Sequence, residues 1–149
     1  MKRTEFDAAH EKLAEHLRQN GLKQTKQREQ ILETFLKSPA HLTSEQVYGL
    51  VRVEHPDVGA ATVYRTLHLL CDAGIAHAHQ FGDGVTMYEV EGMHHDHLVC
   101  TVCGKIKEFS SNAIEAEQER IAKELGYRIT RHQHILFGRC SDCDERTDA

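Results

Sequence analysis

Two Cys-x-x-Cys pairs constrain this chain more than any other feature. Cys100-Thr101-Val102-Cys103 and Cys140-Ser141-Asp142-Cys143 are separated by residues 104–139. One such turn sets two thiolates on the same side of a metal, and two of them complete a tetrahedral four-cysteine zinc site. With no open coordination position, a site of that kind is structural: it ties residues 140–143 back to the turn at 100–103. The other readings of the pattern are a redox dithiol or free core cysteines. The fifth cysteine, Cys71, falls beside Leu67 and Leu70 on a helix face and reads as a small buried hydrophobe.

Histidine is the second unusual residue, with 12 among 149 residues, while Trp is absent. His-rich tracts favour metal, and three histidines lie in the run His94-His95-Asp96-His97. If a strand begins at His97, the period of two puts His95 and His97 on one face and lets His94 and Asp96 face the other. One segment then supplies two metal sites. Partners available elsewhere are His41, Glu89, Glu108, Glu115, His132 and His134. Nitrogen and carboxylate donors without sulfur suit Fe(II), Mn(II), Co(II) or Zn(II). Taken singly, His41, Glu89, Glu115 and His132 read first as ordinary surface or hydrogen-bonded side chains.

Composition bounds the rest. With 40% hydrophobic and 28% charged residues, the chain is globular rather than disordered, and its length allows one ordinary domain or two small ones. No apolar run approaches the length of a membrane span. Lys2 and Arg3 are followed by no apolar segment, so no secretory signal is expected, and the expected compartment is the reducing cytoplasm. A net charge of −5 counts against a nucleic-acid partner, yet Arg18, Lys23, Lys26 and Arg28 form a basic run without an acid. Phosphate contacts are local, so that patch outweighs the sum.

Periodicity divides the chain near 91–93. Before it, four helices are predicted. The first carries Leu13 and Leu17 and stops at Gly21. The second is capped by Thr25 and buries Ile31, Leu32, Phe35 and Leu36. The third has Thr43 and Gln46 as a capping box and buries Val47, Leu50 and Val51. The fourth runs from Ala60 to Cys71 with Val63, Leu67 and Leu70 inward, closed by Gly74. A hairpin follows, 75–81 and 85–90 about Gly82-Asp83-Gly84. Helices followed by a hairpin is the order of a winged helix-turn-helix. The fourth helix would enter the major groove, with Thr62, Tyr64, Arg65 and His68 outward; a merely solvated face is the competing reading. Beyond the boundary we expect strands at 97–101, 105–109 and 127–137, a helix capped by Asn112 with Glu115 and ending at Gly126, and a charged tail from Ser141, frayed apart from its cysteines. The predicted class is α+β: an N-terminal winged helix-turn-helix domain, residues 1–91, and a small α/β domain, residues 92–149.

In order and spacing, several segments together resemble the ferric uptake regulator family of metal-dependent repressors. They are Gly21-Leu22-Lys23 with Thr25 and Arg28, Ala61-Thr62-Val63-Tyr64-Arg65-Thr66-Leu67, His94 through Cys100, Cys103-Gly104-Lys105 and the second cysteine pair. The resemblance spans about Leu13 to Cys143. Lys26-Gln27 departs from it, since family members often carry Pro before the Arg.

The resemblance implies that the second domain dimerises. It also implies structural zinc on Cys100, Cys103, Cys140 and Cys143, and a regulatory site at the hinge on His41, Glu89, His95, His97 and Glu108. A further site follows on His94, Asp96, Glu115 and His132. Lys23, Arg28, Thr62, Tyr64 and Arg65 become the expected DNA contacts. Two glutamates in the regulatory set, where peroxide sensors of the family carry aspartates and zinc sensors a sulfur ligand, favour Fe(II); Mn(II), Co(II) and Zn(II) would also fit in vitro. The implied partner is double-stranded operator DNA bound by a homodimer or a tetramer. With no separate general base, no enzyme activity, small-molecule substrate or membrane is expected.

Overall fold

Apolar residues at helical spacing organise the first half of the chain into four helices: α1 (Arg3–Gln19), α2 (Lys26–Lys37), α3 (Ser44–Glu54) and α4 (Ala60–Asp72). The structure, a computed structural model, describes residues 3–82, 84–92 and 94–144. Asp83 of the expected hairpin turn, Met93 of the boundary, Lys2 and the end of the tail lie outside them. The chain divides into two compact units, Met1–Gly92 and Met93–Ala149.

Local chemistry sets the helix ends in the first unit. The Thr25 hydroxyl accepts from the Arg28 amide at 3.3 Å. Thr43 and Gln46 form the reciprocal capping box, with the Gln46 amide 3.2 Å from Thr43 Oγ1 and the Thr43 amide 2.8 Å from Gln46 Oε1. At the end of α1 the left-handed Gly21 (φ 64°) lets the Leu22 amide reach back to the Leu17 carbonyl at 2.9 Å, a closure that an L side chain would strain.

Leu13, Leu17, Ile31, Leu32, Phe35, Val47, Val51, Val63, Leu67 and Leu70 pack together almost without exposure. Leu50 departs from expectation: it is exposed, because the apolar face of α3 is carried by Val47 and Val51. Cys71 is half-buried, and burial pushes its thiol up to about 11, an inert state that agrees with a packing role.

The hairpin strands are β2 (Ala76–Gln80) and β3 (Thr86–Val90). A two-residue strand, β1 (Leu42–Thr43), was not foreseen. It pairs with β3, Leu42 opposite Tyr88, so β3 becomes the centre of a sheet in the order β1-β3-β2. Nothing local marks so short a strand; it exists because β3 offers a free edge.

In the second unit, β4 (Asp96–Cys100), β5 (Ile106–Phe109) and β6 (Ile135–Gly138) form a sheet in the order β5-β4-β6. β5 runs antiparallel to β4 and β6 parallel. α5 (Asn112–Glu124) provides the crossover and α6 (Ser141–Asp144) closes the described chain.

Four expectations are corrected here. β4 begins one residue early. The third strand starts at Ile135 rather than 127, since only residues 135–138 find a partner along β4. Ser111, not Asn112, caps α5, its hydroxyl accepting from the Ile114 amide at 3.5 Å. Residues 141–144 form a short helix, so Ser141, Asp142 and Asp144 are ordered along with Cys143, which is buried.

Candidate metal centres and nucleic-acid face

The four cysteines come together as their spacing requires. Cys100 ends β4, and the left-handed Gly104 (φ 72°) turns the chain so that its amide donates to the Cys100 carbonyl at 2.9 Å. On the other side, the Cys143 amide donates to the Cys140 carbonyl at 2.9 Å. Ligand atoms of all four lie within 4.8 Å of one another, and Cys103 Sγ is 3.8 Å from Cys140 Sγ. A zinc tetrahedron with arms of about 2.3 Å has edges of about 3.8 Å, so the donor set fits. Amides of Cys103, Cys140 and Val102 point at the Cys100 sulfur and pull its thiol down to about 6, while the hydrogen bonds that the Cys143 thiol donates to Cys140 and Cys103 push it up to about 12.

A second cluster, wholly within the same unit, comprises His94, Asp96, Glu115 and His132. His94 Nε2 lies 3.0 Å from Glu115 Oε1 and 2.9 Å from His132 Nε2. Asp96 Oδ1 faces both imidazoles, at 3.5 and 3.8 Å. Asp96 is only 1% exposed, yet neither of its carboxylate oxygens has a hydrogen-bond partner. Burying an ionised carboxylate without a donor is costly, and a cation among these four side chains would remove that cost. His134, noted above as an available partner, stands beyond the cluster with Nδ1 3.6 Å from Asp96 Oδ2.

His95, His97 and Glu108 gather on the other face of the sheet in the second unit. His97 and Glu108 are register partners across β4 and β5, and directly opposed residues share a face. His95 Nε2 is 3.7 Å from Glu108 Oε1, and the His95 and His97 rings stand 4.9 Å apart. The alternation expected of His94-His95-Asp96-His97 is thus realised.

In the first unit, His41 and Glu89 meet. His41 has a positive φ of 61°, the one such non-glycine among the described residues, a conformation that bulky residues rarely hold without a surrounding that enforces it. It aims Nε2 at Glu89 Oε2, 2.9 Å away. The second oxygen of Glu89 is engaged as well: His79 Nε2 lies 2.7 Å from Oε1. Burial raises the Glu89 carboxyl, but the hydrogen bonds from His41 and His79 outweigh it and hold the group well below the usual carboxylate range. His79 is a contact the sequence reading missed. The signal was present in the hairpin, where His77-Ala78-His79 pairs antiparallel with Met87-Tyr88-Glu89, and His77 reaches Glu91 at 3.0 Å.

The expected nucleic-acid face divides into two groups. On α4, Tyr64 and Arg65 are exposed and Thr62 is half-buried. Tyr64 stacks edge-on against His68 at 4.5 Å, and His68 Nε2 lies 3.5 Å from the Tyr88 hydroxyl, so the sheet braces the helix. Lys23 is exposed, and the Arg28 guanidinium donates to the Lys23 carbonyl, which fixes the segment presenting Lys23.

Comparison with known proteins agrees with this geometry. The sequence profile of the ferric uptake regulator family matches residues 19–137. A ferric uptake regulation protein of Campylobacter jejuni is 45% identical over 145 residues, 95% of this chain and 92% of that protein. The Helicobacter pylori ferric uptake regulator, whose structure is described as revealing three functional metal binding sites, superposes with a TM-score of 0.85 at 31% identity, covering 97% of each chain. A ferric uptake regulator from Pseudomonas aeruginosa with manganese gives 0.76 at 34% identity, over 86% of this chain and 97% of that one. With the family profile matched over most of its length and a relative 45% identical over 95% of it, this chain belongs to the ferric uptake regulator family.

Proposed function

We propose that this protein is an Fe(II)-responsive repressor that binds operator DNA as a metal-loaded homodimer. The observation that carries the reading is the pair of hard-donor groups, one per unit: His41 with Glu89, and His95, His97 with Glu108. Neither group alone offers enough ligands for a five- or six-coordinate ion. Together they would hold one cation and fix the angle between the units, which in a dimer sets the spacing of the two α4 helices against two half-sites. A bound divalent cation supplies charge and a fixed coordination geometry. Moving such an equilibrium from 1:99 to 99:1 needs about 5.5 kcal/mol of preference for the closed form.

The thiol cluster would hold structural zinc, and the Asp96 cluster a further divalent ion. Tyr64, Arg65, Thr62, Lys23 and Arg28 would face DNA, with Arg suited to guanine edges and Lys to phosphate. Exposed Leu98 and Leu136, register partners on neighbouring strands, with exposed Phe137, support self-association of the second unit. That no helix among the described residues is long and apolar enough to cross a membrane is compatible with a cytoplasmic regulator.

Two glutamates and no sulfur in the regulatory set favour iron. Zinc binds nitrogen–oxygen sites more tightly than iron or manganese, so metal availability would select the ion in the cell. Manganese is the second reading, favoured by the likeness to a family structure that holds it.

An anaerobic DNA-binding titration with Fe(II), Mn(II) and Zn(II) at buffered free-metal levels tests the proposal. Iron should raise operator affinity at the lowest concentration compatible with cellular supply, and His97→Ala should abolish the response while leaving a folded dimer. Metal-loaded protein without sequence-specific binding at moderate salt would refute the repressor reading. An unaltered response in His97→Ala would remove that residue from the site.

A further inference from the structure

We propose that His79 is a positioning residue for the cation site to which Glu89 contributes, holding one carboxylate oxygen so that the other is presented as the ligand. The proposal rests on the reading of Glu89 as a regulatory ligand.

Glu89 sits on the central strand of the β1-β3-β2 sheet and is 5% exposed. It receives one imidazole from each side of that strand. His41, immediately before β1, meets Oε2 at 2.9 Å, and His79, on β2, meets Oε1 at 2.7 Å. The two contacts are not equivalent. His41 sits at a backbone position strained toward the carboxylate, whereas His79 lies in regular strand pairing, opposite Met87, and reaches Glu89 diagonally.

Phe81 fixes both rings. It stacks against His79 at 5.6 Å with planes 29° apart, and meets His41 edge-on at 5.6 Å. His79 is thereby held before any ion arrives.

A carboxylate free to turn about its last bond can chelate with both oxygens, ligate with either one, or turn away. An N–H donor on Oε1 leaves Oε2 as the single outward donor, on the His41 side. Groups that hold metal ligands in this manner typically contribute about 10–100-fold to metal affinity. When His41 gives its Nε2 lone pair to a cation it must cease donating to Oε2. His79 has no such conflict, so its bond persists in both states.

Co(II) binding to the full, zinc-replete chain tests this, followed by visible absorption and by chelator competition. A His132→Ala background silences the second nitrogen–oxygen cluster. His79→Ala should weaken Co(II) binding about 10–100-fold while leaving zinc content unchanged. His79→Gln, whose amide N–H replaces Nε2–H, should recover most of the affinity with a wild-type Co(II) spectrum.

Affinity of His79→Ala within twofold of wild type would overturn the proposal. So would a Gln variant as weak as the Ala variant with an altered spectrum, which would make His79 a ligand. Should His79→Ala melt early, His79→Gln and His79→Asn decide the matter: the shorter amide should lose affinity that Gln keeps, and equal affinities refute the role. Glu89→Ala serves as the separate control. If it leaves Co(II) affinity unchanged, the reading of Glu89 as a ligand fails; if it weakens binding while His79→Ala does not, only the role of His79 fails.

Discussion

In the first unit the residues with least exposure are leucine, isoleucine, valine and phenylalanine, mostly from the four helices, with Tyr88 of β3, whereas in the second they are Val99, two cysteines, Asp96 and His97. The first unit closes on one contiguous hydrophobic core. Among its described residues the second buries little hydrocarbon, and α5 contributes no buried side chain. Ile121, Leu125, Leu98, Leu136 and Phe137 remain exposed. A unit of this size rarely stabilises itself by burial alone and takes a metal or a partner as a staple. On the proposed function, the second unit would take its staple from the thiol cluster, while the first would present the DNA contacts and lend His41 and Glu89 to the regulatory site.

The largest expected effect breaks that contrast at the thiol cluster. Structural zinc is worth on the order of 10 kcal/mol in small domains. Stripping it, or changing Cys100 to Ser, should therefore unfold the second unit while the first stays protected. Hydrogen exchange resolved by segment, with zinc content and dimer fraction measured alongside, checks this. A stable dimer retaining full zinc in Cys100→Ser would refute the assignment.

Next in size is the converse. Leu67 has no exposure, and truncating such a side chain costs about 2–5 kcal/mol. Leu67→Ala should lower the denaturation midpoint of the first unit and leave zinc content unchanged. Loss of zinc in this variant would mean that the two units do not fold independently.

The smallest effect concerns acid. The Glu89 carboxyl is depressed in the folded chain, so the folded state binds fewer protons there than the unfolded one. Its stabilisation is present above the ordinary carboxylate range and is lost as pH falls through and below that range. In metal-free protein, Glu89→Gln should flatten the acid limb of the first unit's stability curve without moving that of the second. Chemical denaturation across pH 3 to 6, roughly the span around an ordinary Glu value, measures it. An unchanged acid limb would show that the two imidazoles do not hold the ionised form.

Legibility in the sequence followed the range of the interaction. The helix caps at Thr25 and Thr43, the stop at Gly21 and the two cysteine turns depend on neighbours within a few residues, and they stand where the spacing placed them. The alternation in His94-His95-Asp96-His97 was legible for the same reason, because strand geometry repeats every two residues. Ser111 and Asn112 are both good caps, and propensity alone does not choose between adjacent ones. Leu50 looked buried since periodicity marks a stripe but not its edge.

What the sequence determined by itself was the set of local rules: which turns bring thiols together, which helices carry an apolar stripe, which residue types are able to hold a cation. Only the tertiary structure decided the pairings that cross the chain. β1 exists because β3 has an edge to offer, β6 begins where β4 provides partners, and Glu89 has two imidazoles because a sheet sets His79 and the turn at His41 on either side of it. Such contacts depend on register between segments far apart in sequence, and a shift of one residue would turn each side chain to the opposite face.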